Sequence, residues 1–314
     1  MQAEPMSTGY VIETRNLSKQ FSDVHAVKGL DLKVGRGEIF GFLGPNGAGK
    51  TTTIKMLMGL TRPSGGEVFL QGKKADADSV ESRRMLGYLP EKVAFYDNLT
   101  PVQTLHFFCD LKGADRAIVG RLLEEVGLTE SAGRKVGTFS KGMTQLLGVA
   151  QAMIGDPSIY ILDEPSSGLD PRWTKVVRDR IKSLNEKGAT ILFSSHILSE
   201  VQSLCDRVAI IDHGRLVAED TIAGLNERLR IRPRMEIAIP GLGGRVPDRL
   251  RSMDGIEDAR ADGEKLMVTC NGEKRAEVIA ALIGAGMQIK DLRTIEPSLE
   301  DAFIRLVSDG KGAT

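Results

Sequence analysis

Long apolar runs and an excess of charge of either sign are missing from this chain of 314 residues. The longest apolar runs, such as 159–162 and 208–211, fall far below the roughly 20 residues that a membrane helix needs. The 42 Lys+Arg residues balance the 42 Asp+Glu residues, which argues against a broad nucleic-acid footprint and against polybasic attachment to an anionic membrane. We therefore expect a chain that neither crosses a membrane by itself nor binds nucleic acid.

Cysteine is also scarce, since Cys109, Cys205 and Cys270 lie far apart and form no CxxC or Cys/His cluster. Their spacing excludes a disulfide framework and a zinc site, and it is typical of reduced structural thiols in a cytosolic protein. Residues 1–10 are polar and lack the basic and then apolar regions of a secretory signal. The length exceeds what one hydrophobic core usually serves, so we expect a large domain and a smaller one.

Over the first two thirds of the chain, short apolar runs alternate with longer segments of helical period. The runs that predict buried strands are 38–43, 158–162, 190–193 and 208–212. The segments that predict helices are 52–60, 116–127, 142–154 and 172–187. This alternation favours an α/β fold with a mostly parallel sheet that is covered on both faces. The stretch D-H-G-R at 212–215 predicts a hairpin turn, and therefore an antiparallel pair at one edge of the sheet.

The composition changes near residue 226, where a charged run ending in R-L-R-I-R-P-R predicts a solvated linker. The segments beyond it predict a small α+β domain, with strands at 235–239, 265–270 and 287–292 and helices at 247–253 and 273–284. A last helix begins at Ser298, because Ser298 and Asp301 form a capping pair just after Pro297. We therefore divide the chain into a domain of residues 8–225, a linker of residues 226–234 and an accessory domain of residues 235–314.

The strongest chemical signal is G-P-N-G-A-G-K-T at residues 44–51, between a predicted strand and a predicted helix. This is the phosphate-binding pattern GxxxxGK[ST] in the context that it requires. Its glycines let backbone N–H groups converge on phosphate oxygens, and the N-terminus of the following helix adds a partial positive charge. We expect Lys50 to bridge the β- and γ-phosphates of a nucleoside triphosphate and the Thr51 hydroxyl to bind magnesium.

An acidic pair follows the apolar run at 158–162, where the sequence reads S-I-Y-I-L-D-E-P. A carboxylate at the end of a buried strand can hold the magnesium shell, and the next one faces the γ-phosphate. Asp163 is therefore the candidate magnesium ligand. Glu164 is the candidate general base that orients or deprotonates the attacking water.

Three further motifs follow the order of a known family. They are F-S-K-G-M-T-Q at 139–145, S-S-G-L-D at 166–170, and Ser195-His196 after the predicted strand at 190–193. With the phosphate loop and the acidic pair they resemble the signature, D-loop and switch histidine of the ABC ATPases. Phe21, followed by Ala26 and Val27, resembles the aromatic position that stacks on adenine in that family. The resemblance extends over roughly residues 11–220.

The resemblance implies an ABC-type P-loop NTPase domain, with a RecA-like core and antiparallel β and α-helical subdomains, joined to the small α+β domain. It implies hydrolysis of ATP with Mg²⁺, coupled to transport. In this family the active site is shared, so Ser140 and the N–H groups around Gly142 would point at the γ-phosphate held by a second subunit. ATP would then hold a head-to-tail pair together, and hydrolysis would release it.

The resemblance also implies roles for individual residues. Those implied in catalysis are Lys50, Glu164 and His196, of which His196 would hold Glu164 and the attacking water in line. The magnesium ligands are Thr51, Asp163 and Glu91, where Glu91 stands in place of the usual glutamine. The residues that would bind ATP are Phe21, Val27, Gly44, Pro45, Asn46, Gly47, Ala48, Gly49, Lys50, Thr51, Thr52, Ser140, Gly142 and Asp170. No role is assigned to His25, His106 or His213.

Several stretches resemble the ATPase subunits of second-type ABC exporters. They are L-P-E-K-V-A-F-Y at 89–96, the S-K-G-M form of the signature and the ending S-L-E-D-A-F at 298–303. Within that class, E-x-V-x-F-Y is similar to the copper-processing ATPase that matures nitrous-oxide reductase. Related ATPases that export drugs, polysaccharides or sodium share most of these features, so the substrate stays open.

The partners implied are a polytopic membrane permease, a second copy or a paralogous ATPase subunit and, through the permease, a periplasmic partner. The chain would then lie at the cytoplasmic face of the inner membrane. The alternative is an ABC ATPase without a transport role, or an NTP-binding module that acts on a soluble partner. Chromosome and translation ATPases are disfavoured, because the segment between Lys50 and Ser140 has no sustained heptads and the chain carries one motif set.

Overall fold

The computed structural model describes residues 9–75, 80–229, 231–270 and 272–309. The chain divides into two compact units, Met1–Thr221 and Ile222–Thr314. Helix α8 (Ile222–Arg228) extends into the segment that the sequence predicts as a linker, and its Leu225 is fully buried. Within the described part of the chain, no helix is both long enough and apolar enough to span a bilayer.

The first unit contains two sheets and the helices around them. Its strands are β1 (Tyr10–Phe21), β2 (Val24–Gly35), β3 (Ile39–Leu43), β4 (Gly65–Leu70), β5 (Lys73–Lys74), β6 (Leu86–Leu89), β7 (Ile159–Asp163), β8 (Thr190–Ser195), β9 (Arg207–Asp212) and β10 (Arg215–Asp220). Its helices are α1 (Lys50–Leu57), α2 (Val80–Arg84), α3 (Pro101–Lys112), α4 (Val119–Glu125), α5 (Lys141–Ala152), α6 (Pro171–Glu186) and α7 (Leu198–Leu204).

The larger sheet has six strands in the order β10-β9-β3-β8-β7-β6. All neighbours in it are parallel except β9 and β10, which form the antiparallel pair predicted from the D-H-G-R turn. Every residue of β3, β7 and β8 is buried, as expected for parallel strands that are covered on both faces. The structure therefore confirms the predicted α/β core.

The smaller sheet is antiparallel, with four strands in the order β2-β1-β4-β5. The sequence patterns in isolation do not predict it, although the family resemblance implies an antiparallel subdomain. Its inward side chains, such as Ile12 and Leu32, share one hydrophobic core with Phe42 and Ile161 of the larger sheet. The core thus fixes β1 and β2 against the strand that precedes the phosphate loop.

The helical part of this unit begins with α3, whose ends carry strong local signals. Thr100 and Gln103 form a capping box, and Pro101 occupies the first turn. Gly113 ends the helix in the left-handed conformation, with φ of 67°. The segment predicted as one helix at 116–127 is instead a short 3-10 turn at Arg116–Ile118 followed by α4.

Strand order explains how the sequence motifs converge. The phosphate loop follows β3, the acidic pair lies at the end of β7, and Ser195-His196 ends β8. Since β8 lies between β3 and β7 and all three run parallel, their carboxyl ends meet at one edge of the sheet. That edge is where open α/β sheets bind ligands.

The second unit is a small α+β fold. Its strands are β11 (Arg234–Ala238), β12 (Ile256–Asp262), β13 (Lys265–Cys270) and β14 (Asp291–Ile295), and its helices are α8, α9 (Asp248–Arg251), α10 (Arg275–Gly284) and α11 (Leu299–Asp309). The strands form an antiparallel sheet in the order β12-β13-β11-β14. The predicted capping pair is present, since Ser298 N–H donates to Asp301 Oδ2 at 3.1 Å and Asp301 N–H donates to Ser298 Oγ at 3.1 Å.

Two strands of this unit differ from the expectation. Strand β12 was not predicted, because its charged and exposed residues lack an apolar pattern. Strand β14 begins at Asp291, four residues later than the apolar run at 287–292 predicts. Register explains the shift, because Ile237 pairs with Leu292 and Met235 pairs with Thr294 across β11 and β14.

The core of the second unit offers a matched test of its packing. Ile237 is completely buried, whereas Ile283 is 60% exposed. We expect Ile237→Ala to lower the free energy of unfolding of this unit by about 2–5 kcal/mol, because it leaves a cavity. Ile283→Ala should change it by less than about 0.5 kcal/mol. Urea unfolding followed by circular dichroism measures both, and equal effects of the two substitutions would contradict the packing described here.

Candidate nucleotide site

A cavity of about 710 Å³ lies at the edge of the sheet where the motifs converge. The phosphate loop and the start of α1 form one side of it, and the beginning of β2 and the turn between β9 and β10 form another. The residues that line it are Asp23, Val24, His25, Ala26, Lys28, Pro45, Asn46, Gly47, Gly49, Lys50, Thr51, Thr52, Glu91, Glu164 and His213. Its volume suits a nucleotide-sized ligand.

The phosphate loop needs glycine at specific positions. Gly49 has φ of 108°, and a Cβ there would lie 2.5 Å from the carbonyl oxygen of Ala26. A Cβ on Gly44 would lie 2.3 Å from the carbonyl oxygen of Ile211. Neither Gly44 nor Ala48 lines the cavity, and both instead hold the loop against neighbouring strands. Val27 is fully buried and packs against the loop at Gly49.

Lys50 is buried and folds back over the loop that it follows. Its Nζ donates to the carbonyl oxygen of Gly44 at 2.7 Å, and it lies 3.6 Å from Oε1 of Glu164. The ammonium group therefore stands between the phosphate-binding backbone and the candidate base. This is a position from which it can neutralise phosphate charge.

Asp163 lies at the end of β7 with only 1% of its surface exposed. Its Oδ1 accepts a hydrogen bond from the Ser194 hydroxyl at 2.6 Å, while Oδ2 is buried and has no partner among the described residues. Burial raises the pKa of Asp163, and the hydrogen bond from the Ser194 hydroxyl opposes that shift. A buried carboxylate with one free oxygen beside a threonine hydroxyl is suited to a cation ligand.

The backbone of Glu164 lies in the left-handed region, which is uncommon for residues other than glycine. Its φ is 49°, and its N–H donates to the carbonyl oxygen and to the hydroxyl of Ser194, at 3.2 Å and 3.0 Å. Strain of this kind is concentrated at functional sites. Both carboxylate oxygens have a neighbour, because Oε2 lies 2.7 Å from Nδ1 of His196 and Oε1 faces Lys50.

Glu91 lines the same cavity from the segment after β6, close to the acidic pair. Burial, together with the negative charges of Asp163 and Glu91, raises the pKa of Tyr88 to about 12. Tyr88 therefore stays a neutral phenol. Glu91 can offer a carboxylate oxygen to the cavity, as the resemblance implies for a magnesium ligand.

The signature and D-loop residues lie elsewhere in the chain. Ser140 caps the N-terminus of α5 by accepting from the N–H of Met143 at 3.3 Å, and Asp170 caps α6 by accepting from the N–H of Trp173 at 3.0 Å. Gly142 fits under the only tryptophan of the chain, since a Cβ there would lie 2.4 Å from two ring atoms of Trp173. None of Ser140, Gly142 and Asp170 lines the cavity. The cavity of one chain is thus lined by the phosphate loop, Glu91 and Glu164 but not by the signature or D-loop residues.

The structure adds residues that sequence reasoning missed. His25 and His213 both line the cavity, although neither carries a motif. The D-H-G-R turn holds His213 there, because Gly214 N–H donates to the carbonyl oxygen of Ala48 at 2.9 Å and its own carbonyl accepts from Lys28 N–H at 2.8 Å. The sequence signal for His213 was the D-H-G-R turn after a predicted strand. Only the structure shows that this turn lies against the phosphate loop.

Phe21 does not line the cavity as the structure stands. Its ring is 49% exposed at the end of β1, and the ammonium group of Lys19 lies 4.8 Å from the ring centre. The residues that follow it, from Asp23 to Ala26, do reach the cavity wall. Stacking of Phe21 on adenine therefore stays a prediction.

Comparison with known proteins places the chain in a family. The ABC transporter family model matches residues 27–167. The bacitracin transport ATP-binding protein BcrA of Bacillus licheniformis is 36% identical over 97% of this chain and 99% of its own length. The linearmycin resistance ATP-binding protein LnrL of Bacillus subtilis is 31% identical over 94% of this chain and 98% of its own length. The chain belongs to the ATP-binding subunits of ABC transporters.

A solved structure of an ATP-binding subunit of an ABC transporter supports the same conclusion. It is 33% identical, with a TM-score of 0.64 over 70% of this chain and 94% of its own. This ABC subunit is therefore an ATPase that drives a transporter, and the predicted fold, ATP binding and activity are confirmed. The relatives match over both units of the chain, so the small α+β unit is shared with proteins of this kind.

The adenine contact can be tested with two aromatic residues of β1. Tyr10 and Phe21 lie at opposite ends of the strand, and each has a lysine ammonium over its ring. We expect Phe21→Ala to weaken ATP binding about tenfold, since stacking on a base contributes ~1–3 kcal/mol. Phe21→Tyr should keep the affinity, and Tyr10→Ala should leave it unchanged. Titration with a fluorescent ATP analogue measures all three, and an unaltered affinity for Phe21→Ala would rule out stacking.

Proposed function

We propose that this ABC subunit pairs with a second ATP-binding subunit, closes on ATP, and powers a second-type exporter through a polytopic membrane permease. The observation that carries this proposal is the split of the site: Lys50, Thr51 and Glu164 line the cavity, whereas Ser140 and Gly142 at the start of α5 do not. The protein would act at the cytoplasmic face of the inner membrane, where the permease holds it.

The chain's own residues suit in-line attack of water on the γ-phosphate. Backbone N–H groups of the phosphate loop and Lys50 hold the phosphates, as the loop geometry allows. Glu164 is the general base, because its carboxylate borders the cavity with one oxygen near Lys50 and the other on His196. His196 orients Glu164 through this contact, and its half-exposed ring would hydrogen-bond the γ-phosphate.

Magnesium fits the residues that surround the acidic pair. Asp163 offers the unpartnered Oδ2, and Thr51 and Glu91 border the same space. Within the described residues, no group of three or more His, Cys, Asp and Glu could hold a metal by itself. Asp163, Thr51 and Glu91 would hold the cation together with the phosphates and water. When bound, Mg²⁺ would neutralise the charge that develops on the transferred phosphoryl group.

A second subunit would supply the rest of the site. Helix α5 has 12 residues, begins at Lys141 and is capped by Ser140, so its N-terminal N–H groups form an anion-binding end. Placed against the γ-phosphate of a partner, this end would make ATP part of the interface. Asp170, at the start of α6, would lie in the same contact and report the state of one site to the other. We propose either a second copy or a paralogous subunit as that partner.

The permease would dock on the face formed by α3 and the segment after Glu91. A groove of about 450 Å³ runs there, with Pro90, Val93, Phe95 and Phe108 in its lining. Beside it, the exposed rings of Tyr96 and Phe107 lie 6.4 Å apart. Such a groove fits an amphipathic helix of a partner.

The groove is also linked to the signature helix. A Cβ on Gly148 of α5 would lie 3.1 Å from Cγ1 of Val93 and 2.7 Å from Cδ1 of Leu89, so this segment packs closely on α5. A movement of the docked helix would therefore reach both Glu91 in the cavity and the helix that carries the signature. This contact gives a physical route between permease and ATP.

Assignment to the second-type exporters rests on the E-K-V-A-F-Y segment and on the relatives. The relatives are named for bacitracin transport, linearmycin resistance and, in Cupriavidus pinatubonensis at 36% identity, Nod factor export. We propose export of a substrate by this chain's permease, with a periplasmic partner where the permease recruits one. Maturation of nitrous-oxide reductase stays a prediction that the resemblance at 91–96 alone supports.

The shared site can be tested at the candidate base. We expect Glu164→Gln to keep ATP binding but to lower the turnover of ATP by about 100-fold or more, because general-base catalysis is lost while the phosphate contacts remain. The variant should form a stable dimer with ATP, visible by size-exclusion chromatography with light scattering.

The exposed Glu130 provides the control for this experiment. Glu130→Gln should hydrolyse ATP at the parent rate and show no trapped dimer. A Glu164→Gln protein that stays monomeric at saturating ATP would contradict the two-subunit site, and one that keeps turning over would contradict the base assignment.

The proposed permease-docking face can be tested by introducing negative charges into it. We expect Phe107→Glu and Tyr96→Glu to abolish recovery of the membrane subunit when the tagged chain is purified in mild detergent. The ATPase activity of the isolated chain should stay within about twofold of the parent, because both rings are exposed and lie outside the cavity. Ile283→Glu, at an exposed position in the second unit, should recover the membrane subunit normally. Normal recovery with both ring variants would place the permease elsewhere.

A further inference from the structure

Ser194 is fully buried in β8 and belongs to none of the motifs that the sequence displays. The parallel register pairs it with Asp163 on β7. Glu164, the next residue along the chain, hydrogen-bonds through its N–H to both the carbonyl and the hydroxyl of Ser194. A single side chain therefore contacts both members of the acidic pair.

The hydrogen bonds of this hydroxyl have a defined direction. A serine hydroxyl has one proton and two lone pairs. Its proton goes to Oδ1 of Asp163 at 2.6 Å, and a lone pair accepts the N–H of Glu164 at 3.0 Å. Because the serine is fully buried, bulk solvent does not compete for either contact.

Each hydrogen bond has a consequence for one carboxylate. The bond to Oδ1 fixes the plane of the Asp163 carboxylate and leaves Oδ2 as the free oxygen. The bond from Glu164 N–H stabilises a backbone with φ of 49°, which directs the side chain between Lys50 and His196. The hydroxyl thus adds to the Ser194 carbonyl in holding the backbone of Glu164, and it is the hydrogen-bond partner of Oδ1 of Asp163.

We propose that Ser194 is a positioning residue for ATP hydrolysis, whose hydroxyl sets the orientation of both Asp163 and Glu164. This inference rests on the proposed function in one respect, namely the roles of Asp163 toward magnesium and of Glu164 as base. Ser194 is fully buried and does not line the cavity, so it would act through the two carboxylates.

Ser194→Ala removes the hydroxyl and leaves the strand intact. We expect kcat for ATP to fall about 10–100-fold, the range found when a residue that orients metal ligands is lost. The KM for ATP, measured with Mg²⁺, should rise by at most about tenfold. Binding of a fluorescent ATP analogue should be unaltered in EDTA, whereas its strengthening by Mg²⁺ should fall about tenfold.

Two further variants separate positioning from general loss of packing. Thr190 lies in the same strand and is also buried, and its hydroxyl accepts from the N–H of Gly37 at 2.8 Å, at the opposite end of β8 from the acidic pair. Thr190→Val should lower the melting temperature about as much as Ser194→Ala but leave kcat and the Mg²⁺ effect unchanged. Ser194→Thr keeps the hydroxyl, and it should retain kcat within about fivefold.

The outcomes decide the proposal. It is overturned if Ser194→Ala keeps kcat within twofold of the parent, or if Thr190→Val reproduces its loss of kcat and of the Mg²⁺ effect. If Ser194→Ala does not fold, Ser194→Cys takes its place, since it keeps the volume with a weaker donor, and the same limits apply. A wrong base assignment can be distinguished from a wrong role for Ser194. If the base assignment is wrong, Glu164→Gln still hydrolyses ATP, and this result does not depend on the Ser194 variants.

Discussion

The parallel pairing of β3, β8 and β7 is the constraint on which the nucleotide site depends. It brings the phosphate loop, the acidic pair and His196 to one edge of the sheet, although these residues are far apart in the chain. The strands that carry them are buried on both faces, so their register is specified by packing on each side. A shift by one residue would turn Asp163 and Ser194 to opposite faces and separate the hydroxyl from the carboxylate.

Under the proposed function, one chain holds only part of the nucleotide site. The cavity has cationic and acidic groups for a nucleoside triphosphate, yet the capped end of α5 lies outside it. A helix end with free N–H groups and a phosphate held elsewhere are complementary, and ATP is the ligand that can join them. Assembly around the γ-phosphate would connect chemistry with motion, and the close packing of Val93 on Gly148 would carry that motion toward the permease.

The parts of the fold that could be predicted are those whose cause is local. Strands β3, β7 and β9 appear as unbroken apolar runs because both faces are covered, and the phosphate loop is visible because its glycines serve backbone conformation. Strands β1 and β2 escaped prediction because bulges, such as the one between Thr14 and Leu17, interrupt their alternation. The helix α3 could have been found from Thr100, Pro101 and Gln103, whose capping signal is as local as that of Ser298 and Asp301.

By itself the sequence displayed the motifs of this protein: a phosphate loop, an acidic pair proposed as cation ligand and base, and a signature proposed to face a partner. Those properties depend on residue types at short spacings, which the chain displays directly. Only the tertiary structure decided that Ser194 joins Asp163 to Glu164, that His25 and His213 border the cavity, and that Ser140, Gly142 and Asp170 lie outside it. Contacts between distant residues depend on strand register and shared burial, and neither of these is encoded at any single position in the chain.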